Sequence, residues 1–265
     1  MQVFVLYLSR NPSRPRMLTH SEIPKLLKRT HIVKGYRPLN QPITYYCKSA
    51  FCTHNELHSR SPHDHIFWFL VDFAGIALFG CSIGLQRYSC GSDMSLIGHM
   101  AYLPSLMLIV LVLQFLSSCY LFVSQPEWPW RLELRMATCF LLAIWVYVPL
   151  VDRYLSENSA ADSSLVLHTN AFNWLMVSGV FMGAKVPERF APGKFDIFGY
   201  GHQLFHLCVN MVAWNLCDAA HLDCAPIAWN SPSNVAISAA FLMSAVFTAC
   251  TVRTLSKKSL DIKYD

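Results

Sequence analysis

The sequence predicts an all-α, polytopic transmembrane helical bundle of about six spans with both termini in the cytoplasm. Three observations carry that expectation: composition, the serial arrangement of apolar runs, and the segregation of basic residues. Of 265 residues, 54% are hydrophobic and only 14% charged, against roughly 25% charged in an ordinary soluble domain. Mean hydropathy is +0.33. Disorder is excluded, because 17 Phe, 11 Tyr and 7 Trp could not remain solvated. The modest net charge of +5 sits in loops and tails, which argues against a nucleic-acid partner.

The apolar runs are Ile66–Gln86, Ala101–Val123, Met136–Val151, Leu165–Ala184, Tyr200–Ala220 and Val235–Val252. Each approaches the roughly 20 residues that a helix needs to cross the hydrocarbon core. They must be helical because lipid offers no partner for backbone N–H and C=O groups. Pro104 and Pro149 fall near run ends, where a missing backbone donor costs least. Residues 1–65 form a basic, proline-dotted cytoplasmic segment, with an interfacial helix expected around Ile23–Arg29. The bundle occupies 66–254 and a short cytoplasmic tail 255–265. With the N-terminus inside, inner segments hold 19 Lys and Arg, and the outer loops hold only Arg87 and Arg153. The positive-inside rule therefore places both termini in the cytoplasm.

Ten cysteines contain no Cys-x-x-Cys pair, and most lie in apolar stretches as small buried hydrophobes. Cys90 and Cys224 lie in separate outer loops where oxidation is allowed, and a disulfide between them is a hypothesis. Ionisable residues inside spans are costly and mark functional candidates. Asp72 lies in the first span, and its alternative role is a protonated acid bonded to a neighbouring helix. His202 and His206, four apart, lie on one helix face and can reach one metal ion or stand as two satisfied core histidines. With the first and fifth spans both entering from the cytoplasm, all three side chains are expected at similar depth. A zinc ion held by two imidazoles, with Asp72 binding or deprotonating its water, follows as an expectation. No Glu follows His202, so the His-Glu-x-x-His protease box is absent and any general base would be Asp72. His168, Asn170 and Asn173 read as hydrogen bonders between helices, and His99 and His221 as solvated outer residues.

The stretch Pro187-Glu-Arg-Phe-Ala-Pro-Gly-Lys-Phe-Asp-Ile-Phe-Gly-Tyr-Gly-His-Gln-Leu-Phe-His206 resembles the signature of the progestin and adipoQ receptor family. Ile23-Pro-Lys, Gly35-Tyr-Arg-Pro38, His54-Asn-Glu56 and the segment from Ser59-Arg-Ser61 to Asp72-Phe-Ala-Gly75 are similar to other parts of that family. The span after the fifth resembles the extra C-terminal helix of the membrane progestin receptor branch. The resemblance implies a zinc site near the inner leaflet, with His202 and His206 as metal ligands and Asp72 holding the zinc-bound water. It implies a plasma-membrane receptor, with residence in the endoplasmic reticulum as the alternative. The ligand would be a progestin-like steroid or other lipid, with signalling to a cytoplasmic partner for which a G protein is a candidate. A zinc-dependent ceramide amidase with Asp72 as base, and a truncated isoform without autonomous activity, are the alternatives. One departure is plain: His54-Asn-Glu56 runs almost directly into His58-Ser-Arg-Ser61, so the family's first two core helices have no counterpart. The position of the third zinc histidine is Asn55, leaving His54 or His58 as substitutes.

Overall fold

A computed structural model describes residues 17–28, 31–45, 61–90, 99–125, 128–196, 198–224 and 232–260. Six long helices dominate. α1 is Pro62–Cys90. α2 joins His99–Met107, a π-helical stretch Leu108–Leu116, and Ser117–Ser124. α3 runs Arg131–Leu155 with a 3-10 turn at Val148–Leu150, where Pro149 cannot donate a backbone bond. α4 is Ser163–Ala184, α5 Gly201–Cys224 and α6 Pro232–Ser259. Five of these are long and apolar enough to cross a membrane. α5 falls short on hydropathy, because His202, Gln203, His206, Asn210, Asn215, Asp218, His221 and Asp223 all lie on its 24 residues. The helices outrun the apolar runs at their ends, since polar residues at the interface extend a helix without adding hydropathy.

The core follows from helical spacing. Ile66, Leu70, Phe73, Ala77 and Cys81 form one stripe of α1 at three- and four-residue intervals. They pack with Tyr102, Leu106, Val110, Phe115 and Cys119 of α2, Leu142 and Val146 of α3, and Ala240 and Val252 of α6. In α2 the Ser117 N–H reaches Val112 O, five residues back, the signature of the π-helical widening. α4 and α5 form the most extensive helix pair, and α6 closes over α1. Ser244 of α6 sits 3.5 Å from Cys81 Sγ, a close approach of small residues typical of membrane interfaces. Val180, Leu207, Trp214, Leu242 and Met243 lie exposed on the outside of the bundle, as lipid-facing side chains do.

The N-terminal segment departs from expectation. Leu18–Thr19 (β1) pairs antiparallel with Lys34–Tyr36 (β2). In place of an interfacial helix over Ile23–Arg29, a 3-10 turn spans Lys25–Leu27. Ile23, Leu27, Ile32 and Tyr36 instead pack a small satellite core with Tyr200. Asp196 accepts from the Val33 and Lys34 amides at 3.3 and 3.1 Å. These apolar residues find protein to bury against in the loop before α5, so they need neither helix nor lipid.

Candidate functional site

At the inner end of α5 the two predicted imidazoles come together. His206 Nε2 lies 3.1 Å from His202 Nε2, and His202 Nδ1 lies 3.5 Å from Met182 Sδ of α4. The start of α5 is fixed from below. Gly201 donates its N–H to Glu188 Oε2 at 2.6 Å, and the Gly199 N–H donates to Gln203 Oε1 at 2.7 Å. A Cβ on Gly201 would stand 2.7 Å from Phe181 O and 2.8 Å from Val186 O. Both are backbone atoms that cannot rotate away. Gly201→Ala is therefore expected to cost about 1–3 kcal/mol by overpacking and to shift both rings. Thermal unfolding in detergent checks the first effect, and an unchanged midpoint would refute it.

Asp72 lies exposed on α1. Among the described residues no three His, Cys, Asp or Glu side chains converge as a metal-binding group. The helix begins at Pro62 rather than Ile66. Ring nitrogens 3.1 Å apart suit two corners of a tetrahedral zinc with bonds of about 2.0–2.1 Å. A complete site needs at least one more protein ligand, which the described residues do not supply. His54, Asn55 and His58 lie outside the described residues.

A second polar cluster closes the outer end. Arg87 of α1, only 1% exposed, donates to Val146 O at 2.7 Å and to His168 Nδ1 at 2.9 Å. A guanidinium can only donate, so His168 Nδ1 is the acceptor and the ring proton sits on Nε2. That Nε2–H points at Asp223 Oδ2, 2.9 Å away on α5. The other oxygen of Asp223 accepts from Arg153 Nη1 at 2.9 Å and from Ser164 Oγ at 2.6 Å. Arg153 also binds Asp162 at 2.6 Å, and Asp162 caps α4 by accepting from the Ser164 and Leu165 amides. Partial burial would raise the Asp162 carboxyl, but the Arg153 guanidinium and the helix amides overcome it and hold it below its ordinary value. Its stabilising share is thus present at neutral pH and lost as acid protonates it. Two cations, two anions and one neutral imidazole balance, and they tie α1, α3, α4 and α5 together. Cys90 and Cys224 are disulfide-bonded beside this cluster, with Cα atoms 5.3 Å apart.

Of these residues, sequence reasoning placed only His168 between helices. Arg87, Arg153 and Asp223 read as outer charges because each stands at a span's end. The signal that could have found them is opposite charge at matching depth on neighbouring spans, which only a known packing order makes usable.

Comparison with known proteins agrees with this architecture. The haemolysin-III-related family profile matches residues 41–217. The chain is 23% identical to membrane progestin receptor alpha of Homo sapiens, covering 97% of this chain and 93% of that one. It is 26% identical to membrane progestin receptor gamma of Mus musculus over 68% of this chain and 58% of the relative. The delta receptor of Mus musculus is 28% identical over 63% and 51%. The alignment with the human alpha receptor runs over 326 residues, longer than this chain, so that relative carries several tens of residues without a counterpart here. Two membrane crossings need about 40. With its serial apolar helices, inner histidine pair and matching profile, the chain is a multi-pass integral membrane protein of the haemolysin-III-related family, to which the progestin and adipoQ receptors belong.

Proposed function

We propose that this protein is a membrane receptor for a progestin-like steroid that signals to a cytoplasmic partner. The observation that carries the reading is its similarity to membrane progestin receptor alpha along nearly its whole length. A steroid is an apolar, rigid ligand that partitions into the bilayer and suits an apolar site between helices with few polar groups. Labelled progesterone is expected to bind saturably to membranes expressing this chain, with competition by unlabelled steroid. Membranes that show no displaceable binding, beside a relative that does, would refute the proposal.

Zinc belongs to the same reading, with His202 and His206 as two ligands. The support is their 3.1 Å nitrogen separation and the resemblance of the surrounding motif to the family signature. About one zinc per purified chain is expected by elemental analysis, falling to background in His202→Ala with His206→Ala. A G protein remains a candidate partner, and ligand-dependent nucleotide exchange in those membranes tests it. The hydrolytic alternative, with Asp72 as general base, is tested by ceramide turnover and its loss in Asp72→Ala.

A further inference from the structure

We infer that a cleft at the inner ends of α2 and α3 binds the phosphate group of an anionic membrane lipid. The cleft is open on one side, its cavity volume is about 10 Å³, room for a single phosphoryl oxygen reaching in, and it is lined by Ser117, Ser118, Leu121, Phe122, Arg131, Leu134 and Arg135. Two guanidinium groups, one helical turn apart, stand over aromatic faces. Arg131 lies 5.6 Å from the Phe122 ring centre and Arg135 lies 5.1 Å from that of Phe73. Like charges at this spacing repel, and they sit in the leaflet where basic residues meet anionic headgroups.

Polar atoms in the cleft wait for a partner. Arg131 Nη1 is buried without a hydrogen bond, and so is the hydroxyl of Ser118. Ser118 is only 6% exposed. A buried hydroxyl left unbonded is unfavourable, and a phosphoryl oxygen would accept from both. The cleft also opens at the start of α3, whose N-cap Trp130 makes no side-chain cap, so the positive end of the helix dipole adds to the field. Two carboxylates stand near: Asp72, whose charge reaches Arg135, and the exposed Glu133 of the first turn of α3. Neither forms an ion pair with Arg131 among the described contacts. Partly exposed Phe69, stacked on Phe122 at 5.0 Å, offers apolar surface near the cations. A lipid matches this combination, with an anionic head against arginine and serine and acyl chains against phenylalanine.

The test uses the full chain in nanodiscs of phosphatidylcholine, with and without phosphatidylinositol 4-phosphate, read by thermal unfolding. The anionic lipid is expected to raise the wild-type midpoint by about 5 °C. Arg131→Gln and Ser118→Ala should each lose most of that rise, while Arg189→Gln, a distant inner-face charge, should keep it. Ser118→Ala is the informative variant, because its midpoint in phosphatidylcholine alone should equal or exceed that of the wild type. A full rise in Arg131→Gln or Ser118→Ala overturns the inference. An equal rise from inorganic phosphate in phosphatidylcholine overturns the lipid assignment and makes the ligand a soluble phosphate.

Discussion

Replacing Asp223 with alanine is expected to destabilise the bundle by about 3–5 kcal/mol, the usual cost of removing one partner from a buried charged network. Asp223 is 3% exposed and accepts from Arg153, Ser164 and His168. Its loss strands the guanidinium of Arg153 and leaves the His168 Nε2–H without an acceptor. The damage then passes to Arg87, because the ring that accepts its proton is no longer oriented. Asp223→Asn keeps the shape and one acceptor oxygen, so it should cost clearly less than alanine. Thermal or denaturant unfolding of the detergent-solubilised protein reads both. An alanine variant within 1 kcal/mol of the wild type would show that the cluster is solvated and contributes little.

The contrast between this cluster and the spans shows what a sequence can carry. The spans are legible because hydrophobicity is a local sum: Ile66, Leu70, Phe73 and Ala77 announce a helix face whatever packs on it. The His202–His206 pair is legible for the same reason, since four residues along one helix fix the distance between two rings. The surroundings of Asp72 are not legible in that way, because they depend on how α1 is rotated and how deep it starts. Both follow from contacts with α2, α3 and α6 that no short window contains. Arg87, His168 and Asp223 are separated by 81 and 55 residues, and each in isolation is an unremarkable residue at a helix end or within an apolar run. Their meaning exists only once four helices are placed side by side. The satellite core of residues 17–45 failed for a related reason: its apolar residues are too few to declare a partner, and that partner, Tyr200, lies far along the chain.

Removing the Cys90–Cys224 bond, by reduction or by serine at both positions, is the second large effect. The bond closes a loop of 134 residues, for which chain entropy alone gives about 5 kcal/mol in an aqueous denatured state. In a bilayer or micelle the inserted helices already restrict the denatured chain, so about 2–4 kcal/mol is expected. Non-reducing gels should show faster migration for the wild type than for the Cys90→Ser, Cys224→Ser variant, and both thiols should resist alkylation until reduced. Alkylation without reductant would refute the bond. The sharper expectation concerns coupling. Cys224 adjoins Asp223, and Gln86 of α1 lies 3.6 Å from Cys224 Sγ, so the disulfide anchors the same end of α5 to α1 that the Arg87–His168–Asp223 relay does. Residues that share one contact region do not add independently. Combining Asp223→Ala with loss of the disulfide should therefore cost less than the sum of the two, because once the end of α5 is released the second restraint has little left to hold. Strict additivity would mean that the covalent and ionic ties act on separate parts of the bundle.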